Sequence, residues 1–377
     1  MKLALAHDWL NQMGGAENVL EQMVSMYPNA PVFTTIYNPN LMPPVYRRWD
    51  IHTTWLNRAP AIHRHHQPYL PLYPPAVTGI NFDGYNVILS NKSGFIHGLR
   101  HRANQLHICY CLAPTRYVWD YRGYAAREGF GRWLGLLIQP VVHYLQRWDF
   151  NAAQTPVLSQ GDKSHGVHHF IAISKDIQAR IKKYYQRDSV IIHPPVDTGR
   201  FRPANGQAEG DYYLIVSRLI PYKRIDLAVQ ALSRLKRRLI VVGAGRDQKQ
   251  LEALAGPTVE FRGRLSWDDV TQLMAHCQAL IFPGFEDFGI SPVEAQAAGR
   301  PVIAFAKGGA LDTVIEGKTG LFFREQTVEA LMAAIEQFET MTFNPAAARA
   351  NAERFSNERF RGELGTFVET RWREFGG

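Results

Sequence analysis

Two glutamates eight residues apart form the clearest chemical pattern in the sequence. Glu286 lies in a glycine-containing turn, and Glu294 lies just inside the helix that Pro292 predicts. Amide N–H groups at such a helix start can hold a phosphate, while the Glu294 carboxylate can take both hydroxyls of a ribose. Glu286 is placed to hold sugar hydroxyls. Incidental acids on an ordinary capped helix are the alternative interpretation.

Two cations and a pair of glycines precede these glutamates. Arg218 and Lys223 are five residues apart, across a loop and helix entry that follow a predicted strand. A planar guanidinium group and a compact ammonium group could together clamp a diphosphate, although surface cations at a loop give the same pattern. Gly14 and Gly15 follow the first predicted strand, where they let N–H groups approach an anion or simply form a turn.

The elements needed to bring these residues together are predicted by the hydrophobic pattern. Apolar strands alternate with helical stretches, which is typical of α/β architecture with parallel sheets, where ligands bind beyond the carboxyl ends of strands. The first series of predicted strands is Lys2–Ala6, Tyr85–Ser90, Leu106–Cys111, Phe170–Ile173 and Ser189–Ile192. The second series is Tyr212–Ser217, Leu239–Val242, Val259–Arg262, Ala279–Phe282, Val302–Ala304 and Gly320–Phe323.

Length and composition fit two folded domains. A chain of 377 residues exceeds the size at which single cores stop growing, and 46% hydrophobic residues exclude a disordered chain. Prolines and glycines within 197–210 predict a linker. Three cysteines are too few for a disulfide scaffold, and Cys109 and Cys111 lack the second pair that a zinc site needs.

The positive charge lies in the first half of the chain. Residues 1–200 hold 20 Lys and Arg against 12 Asp and Glu, together with 13 of the 14 histidines, whereas the remainder is neutral. Such a surface could meet an anionic membrane or a phosphorylated acceptor, or be a solvated face. Nucleic acid is not expected, because no module that reads a groove or stacks bases is recognisable.

Two apolar stretches bear on location. The apolar run at the N-terminus is shorter than the core of a signal peptide. The candidate helix Trp133–Leu145 is interrupted by polar residues and is shorter than the ~20 residues that span a bilayer. We therefore expect a cytoplasmic protein, with peripheral contact at the inner membrane surface through the basic half.

The motifs together resemble those of family 4 glycosyltransferases. Glu286 and Glu294 match the E-x7-E motif of that family, residues 217–223 match its S-R-x-x-x-x-K donor loop, and the paired glycines stand in the matching order. The resemblance implies a GT-B fold, with two Rossmann-like, doubly wound parallel-sheet domains facing each other across a cleft. Residues 1–197 would bind the acceptor, residues 198–356 would bind the donor, and a final helix over 357–377 would cross back to the first domain.

The implied activity is a retaining transfer of a hexose from a nucleotide-diphosphate sugar to an acceptor hydroxyl in polysaccharide biosynthesis. No cofactor and no metal are expected, since the chain contains no Asp-x-Asp and two cations can hold the diphosphate. Residues 107–120 look like those of bacterial mannosyltransferases that build O-antigens, so GDP-mannose is the expected donor. A UDP-hexose such as UDP-glucose is the alternative. The acceptor would be a glycan or a lipid-linked sugar; its identity and the oligomeric state are not readable.

The resemblance also implies roles for individual residues. The diphosphate would meet Arg218, Lys223, and the N–H groups of Gly14, Gly15, Ile290 and Ser291. The donor sugar would meet Glu286 and the backbone of Phe288 and Gly289. The ribose would meet Glu294, and the base would meet the loop from Arg262 to Leu265.

One position departs from the family pattern. Many relatives carry a histidine in the loop after the strand Leu106–Cys111, but position 112 is Leu112. Either the role of that histidine is absent in this chain, or one of two residues, His97 or Arg116, takes it on the acceptor side.

Two other classes of protein remain as alternatives. A dinucleotide-dependent oxidoreductase is suggested by the glycines of residues 242–245, but Gln248 stands where the fingerprint needs glycine. A non-catalytic nucleotide-sugar-binding or membrane scaffold is the other alternative, and it leaves both cations and both glutamates unexplained.

Overall fold

The computed structural model describes residues 1–120, 132–156, 163–204 and 210–376. Its contacts divide the chain into two units. Unit 1 comprises Met1–His193 and Arg361–Gly377, and unit 2 comprises Pro194–Phe360. The expected boundaries, after residues 197 and 356, each lie four residues from these. Residues 205–209 of the expected linker lie outside the described residues.

Unit 1 contains a parallel sheet and a small antiparallel pair of strands. The described strands are β1 (Leu3–His7), β2 (Val32–Thr34), β3 (Ile51–Thr53), β4 (Val87–Lys92), β5 (Arg100–Arg102), β6 (Leu106–Cys111), β7 (Lys163–His165), β8 (His169–Ala172) and β9 (Ser189–Ile191). The parallel sheet has the order β3-β2-β1-β4-β6-β8-β9, while β5 pairs with β7. The described helices are Gly15–Met26, Tyr73–Thr78, Arg116–Trp119, Arg132–Ala152 and Lys175–Tyr185.

Unit 2 contains a second parallel sheet. Its described strands are β10 (Tyr212–Val216), β11 (Arg238–Val242), β12 (Val259–Gly263), β13 (Leu280–Phe282), β14 (Val302–Phe305) and β15 (Gly320–Phe323), in the order β12-β11-β10-β13-β14-β15. Its helices are Ile225–Arg234, Gln248–Leu254, Trp267–His276, Ile290–Ala297, Ala310–Thr313, Val328–Glu339 and Pro345–Glu353. The prediction of two doubly wound, parallel α/β sheets is confirmed.

Each sheet is covered by helices, so its central strands are apolar on both faces. In unit 2, Leu239 and Val241 pack with Leu227 and Leu232 of the helix Ile225–Arg234 in one buried core. Unit 1 has its own core, which includes Ala4, Ala6 and Ile88 of β1 and β4. Separate cores are what two independently packed units require.

The final helix, Asn357–Phe375, begins in unit 2 and belongs to unit 1 from Arg361 onward. Leu364 and Val368 are fully buried, four residues apart on one face. The Arg361 guanidinium group donates hydrogen bonds of 2.7 and 2.9 Å to the amide oxygen of Gln22 in the first long helix of unit 1. These contacts fix the helix onto unit 1.

Candidate active site

The site in unit 2 lies where the strand order reverses. The chain runs from β10 outward through β11 to β12 and then returns to β13, on the other side of β10. The loops that leave β10 and β13 therefore diverge at the carboxyl edge of the sheet. Such a switch point is where open α/β sheets bind their ligands. Lys223 follows β10 and Glu286 follows β13, so the topology brings these distant residues to one place.

Lys223 and Glu286 are joined by an ion pair between Nζ and Oε1. Their side chains are 13% and 22% exposed, so the pair is largely enclosed yet reachable from solvent. The Lys223 ammonium group also lies 5.4 Å from the centre of the Tyr222 ring. Both ends of the pair lie beside a small cavity that Ser217 and Ser291 also line.

Glycines allow the loops around this pair to approach closely. A Cβ atom at Gly284 would lie 3.0 Å from the Lys223 backbone. A Cβ atom at Gly308 would lie 2.3 Å from the Glu286 carbonyl oxygen, and the Gly309 N–H donates to that oxygen at 2.9 Å. The loop after β14 thus supports the turn that carries Glu286. Our sequence reasoning missed this loop. Its paired glycines, Gly308 and Gly309, follow a predicted strand and were a readable signal.

The helix Ile290–Ala297 starts at the same place. Gly289 precedes it with a φ of +88°, a conformation that favours glycine, and its missing Cβ makes room for the Phe282 ring. The Ser291 hydroxyl donates to the Val216 carbonyl oxygen at 3.2 Å, which ties the helix start to the end of β10. The first N–H groups of an α-helix have no partner within it, so they can donate to a ligand. Phe288 is buried and packs on Phe355, with ring centres 5.6 Å apart.

Glu294 lies in the second turn of that helix and is 9% exposed. Burial raises the pKa of its carboxyl group from 4.5 to about 7; nearby Arg200 opposes this rise and nearby Asp197 adds to it. Arg200 and Asp197 also pair with each other at 3.2 Å. A buried carboxyl group that is costly to ionise is suited to accept hydrogen bonds from a ligand that shields it from water.

Arg218 is exposed, and its guanidinium group donates to the Tyr222 hydroxyl at 3.2 Å. The loop that carries it rests on the glycines after β11. A Cβ atom at Gly243 would lie 1.8 Å from the Ser217 carbonyl oxygen, and one at Gly245 would lie 2.0 Å from that of Leu219. Close packing of two loops therefore explains these glycines without a dinucleotide.

Arg262 and Leu265 lie on or just after β12, whereas Lys223 follows β10 and Glu286 follows β13. The Arg262 guanidinium group donates to the Glu260 carboxylate at 2.8 and 3.2 Å, on its own strand β12. Leu265 is partly exposed in the loop between β12 and the helix Trp267–His276.

In unit 1, Gly14 and Gly15 open the helix Gly15–Met26. The side-chain amide of Asn91, at the carboxyl end of β4, donates to the Ala16 carbonyl oxygen at 2.7 Å and holds this turn. The buried Glu17 carboxylate lies next to Gly14, where a Cβ atom would be 3.2 Å from Oε2. These glycines thus let the turn pack tightly on the end of the sheet.

Asp8 holds the switch point of unit 1, between β1 and β4, and our sequence reasoning did not single it out. Its buried carboxylate accepts hydrogen bonds from the backbone N–H groups of Ser93 and Gly94 at 2.6 Å and of Ile96 at 2.8 Å. The signal that the sequence offered was an acidic residue directly after the first strand. Its role is to fix the loop after β4.

His97 is fully buried, and its Nε2 lies 3.2 Å from the Asp149 carbonyl oxygen. Burial, together with nearby Lys92, lowers the pKa of His97 to about 4, so the ring is neutral at pH 7. Arg116 is partly buried at the start of the helix Arg116–Trp119. The two candidate acceptor residues therefore differ, because only Arg116 reaches solvent.

The buried Asp149 carboxylate anchors the loop that leads to Arg116. It accepts hydrogen bonds from Thr115 Oγ1 and Trp119 Nε1 at 2.6 Å and from the Tyr185 hydroxyl at 2.8 Å. The buried Lys92 ammonium group donates to the same Thr115 hydroxyl at 3.2 Å. The loop position is thus set by a buried polar network.

The described residues bear on two other predictions, a metal site and a membrane span. No cluster of three or more metal-ligating side chains is present among them. None of the described helices is long and apolar enough to cross a membrane.

Comparison with known proteins places unit 2 in a family. Residues 197–355 match the model of the glycosyl transferases group 1 family. Unit 2 is a group 1 glycosyltransferase domain. This confirms the glycosyltransferase prediction at the level of the family.

Curated relatives of this domain are named glycosyltransferases. The chain is 34% identical over 174 residues to a GDP-mannose-dependent alpha-(1-6)-phosphatidylinositol monomannoside mannosyltransferase of Mycobacterium tuberculosis, covering 39% of this chain and 45% of the relative. It is 28% identical over 222 residues to a D-inositol 3-phosphate glycosyltransferase of Streptomyces scabiei, covering 49% and 50%. The matches thus span about half the length of these relatives.

The likeness in fold covers nearly all of the chain. A crystal structure of Anabaena HepE in complex with UDP matches with a TM-score of 0.70 at 19% identity, covering 98% of this chain and 100% of that one. At this identity the likeness shows the fold alone, which is the GT-B fold.

Proposed function

We propose that this chain is a retaining glycosyltransferase that moves a hexose from a nucleotide-diphosphate sugar to an acceptor hydroxyl. The observation that carries the proposal is the Lys223–Glu286 pair at the switch point of a group 1 glycosyltransferase domain. Buried Glu294 lies in the helix Ile290–Ala297, which starts beside this pair. A cation, a sugar-binding acid and a ribose-binding acid are the parts that such a donor requires.

In this proposal unit 2 binds the donor. The diphosphate would take the Lys223 ammonium group away from Glu286 and would also meet Arg218 and the helix-start N–H groups of Ile290 and Ser291. Freed from Lys223, the Glu286 carboxylate would accept hydrogen bonds from the sugar hydroxyls, next to the Phe288 and Gly289 backbone. Glu294 would hold the ribose, the loop from Arg262 to Leu265 would lie by the base, and Gly14 and Gly15 would offer further N–H groups.

The chemistry follows from where charge develops. The bond between the anomeric carbon and the phosphate oxygen breaks, and the acceptor oxygen bonds to the same face of that carbon. The acceptor proton goes to the departing phosphate, so no protein nucleophile is needed. Negative charge grows on the diphosphate, and the fixed donors Lys223, Arg218 and the helix-start N–H groups stabilise it in the transition state.

The donor sugar is proposed to be mannose, carried by GDP. Support comes from the mannosyltransferase-like residues 107–120 and from the relative named GDP-mannose-dependent. A UDP-hexose is the second candidate, since a structure with the same fold was determined with UDP.

The acceptor is proposed to bind unit 1 and to be a glycan or a lipid-linked sugar in polysaccharide biosynthesis. The positive charge of residues 1–200 supports an anionic acceptor and a peripheral contact with an anionic membrane. The two relatives are named for an inositol phosphate and a phosphatidylinositol mannoside.

The test is release of GDP or UDP from the corresponding sugar nucleotides, with and without a polysaccharide or lipid acceptor fraction. Slow release without acceptor and faster release with it support the transferase. A scaffold would show neither. A Lys223→Ala variant should lose the activity, whereas Arg234→Ala, which removes an exposed cation paired with Glu329 in the same unit, should keep it.

A further inference from the structure

Four polar atoms in the segments that follow β1, β2 and β3 of unit 1 are buried without a hydrogen-bond partner among the described residues. They are Asn11 Oδ1, the Tyr37 hydroxyl oxygen, His63 Nδ1 and His66 Nδ1. Asn11 follows β1, Tyr37 follows β2, and both histidines follow β3. Buried polar atoms destabilise a fold when unpaired, so a group of them at the ligand-binding edge of a parallel sheet calls for a ligand.

Contacts place three of these residues, Asn11, His63 and His66, near one another. The Asn11 side-chain amide donates to the His63 carbonyl oxygen at 3.5 Å. The His66 ring lies against Trp9, with ring centres 5.1 Å apart. Tyr37 is the bridge partner of Leu10, the residue before Asn11.

The turn that carries the two histidines also presents a cation, Arg64, to solvent. The N–H groups of Arg64 and His65 both donate to the Ala61 carbonyl oxygen at 3.0 Å. Within this turn His63 and His66 are mostly buried, while Arg64 and His65 are exposed. Arg64 has no acidic partner among the described residues, and the stretch 51–82 contains no Asp or Glu. One exposed cation, Arg64, therefore borders the unpaired buried atoms.

We infer that Asn11, His63 and His66 bind the hydroxyl groups of the acceptor, and that Arg64 binds a phosphate carried by the same molecule. A hydroxyl group can donate and accept, so it can satisfy Asn11 Oδ1 and either tautomer of the histidines. The acceptor class is thus a phosphorylated sugar or polyol. This inference rests on the proposed function, and it assigns the acceptor to residues other than the enclosed His97.

The experiment uses the full chain with its donor site filled by GDP or UDP, whichever stabilises it, or the free protein if neither does. Glucose 6-phosphate, glucose and inorganic phosphate are titrated by calorimetry. The variants Asn11→Leu and His66→Phe remove unpaired atoms while keeping the side-chain shape. His52→Phe is the matched control, because His52 stacks on Phe33 in the same unit but is exposed and pairs with Asp50.

We expect both variants to bind glucose 6-phosphate at least about tenfold more weakly while melting at the same or a higher temperature, because an unpaired buried atom is gone. His52→Phe should bind like the wild type. Arg64→Gln should lose the preference for glucose 6-phosphate over glucose.

The inference is overturned if both variants bind like the wild type, if they lose binding together with stability, or if the wild type binds no phosphorylated probe. Failure of the proposed function would be seen in a separate measurement, in which no nucleotide raises the melting temperature of the protein. Sedimentation with phosphatidylinositol vesicles, against phosphatidylcholine alone, distinguishes a lipid-borne phosphate from a soluble one. Vesicle binding would support the lipid source if glucose 6-phosphate displaces it and the Arg64→Gln substitution abolishes it.

Discussion

The Lys223 ammonium group forms an ion pair with the Glu286 carboxylate, although the two residues lie on loops that leave different strands. The pair neutralises two groups that would otherwise be partly buried charges. Each partner is proposed to serve a different part of the donor, the diphosphate and the sugar. Donor binding would therefore exchange one enclosed ion pair for two new contacts.

Removing either partner should impair catalysis more than folding. We expect Lys223→Ala and Glu286→Gln each to lower kcat by about a hundredfold, as loss of a group that stabilises transition-state charge typically does. Steady-state assays of nucleoside diphosphate release would measure this, with Arg234→Ala as the control. A change of less than about threefold in kcat for Lys223→Ala would contradict its role.

Glu294 should make folding stability depend on pH. Its pKa is raised from 4.5 to about 7 in the folded protein, so its ionised form opposes folding. The penalty is absent below pH 4.5, grows as the pH rises, and is complete above about 7. Glu294→Gln should therefore be more stable than the wild type at pH ~8, by up to roughly 3 kcal/mol, and similar at pH ~4.5. Urea denaturation at the two pH values measures the difference.

The same carboxyl group should make nucleotide binding depend on pH. Ribose hydroxyls donate to an ionised carboxylate, so affinity for the nucleotide should rise as the pH passes through about 7. Calorimetric titrations of the wild type and Glu294→Gln measure the slope. An equal slope in the variant would remove Glu294 from the ribose site.

Gly245 should be intolerant of a side chain. In Gly245→Ala the new Cβ atom would lie 2.0 Å from the Leu219 carbonyl oxygen. We expect a loss of about 2–3 kcal/mol in the free energy of unfolding, because two packed loops must separate. Gly362→Ala is the matched control, since no atom lies within 4 Å of its Cβ position in the final helix. That change should stabilise by about 0.5–1 kcal/mol.

Asp149 should matter for stability through its buried network. Asp149→Asn removes the carboxylate that three donors share, within the buried network that also includes Lys92. Breaking such a network typically destabilises by about 3–5 kcal/mol. Asp188→Asn, at an exposed aspartate that pairs with Lys182, should change stability by no more than about 0.5 kcal/mol. Thermal and urea unfolding compare the two variants.

The sequence was informative where apolar runs are long. The interior strand β6 and the edge strand β15 were predicted at their observed bounds. The three-residue strands β2 and β3, the last two strands at one side of the sheet, were missed because so short a run has no measurable period. The helices Val328–Glu339 and Pro345–Glu353 were not singled out either.

The candidate site was readable only in part. Residue types and spacing pointed to Lys223 and Glu286, but not to their contact, which depends on strand order. The helix with Glu294 begins at Ile290 rather than near Pro292, since Gly289 already supplies the required turn. Unpaired buried atoms, such as those of Asn11 and His66, are a property of packing and leave no signal in the sequence.

The central claim is that unit 2 holds a nucleotide-diphosphate sugar at the Lys223–Glu286 switch point. The most direct test is thermal stabilisation of the purified protein by GDP, UDP and ADP and their sugars, repeated with Glu294→Ala and with Arg234→Ala as the matched control. We predict stabilisation by GDP and GDP-mannose that is lost in Glu294→Ala and kept in Arg234→Ala. Stabilisation by UDP and its sugars alone would move the donor to a UDP-hexose, and no stabilisation by any nucleotide would contradict the account.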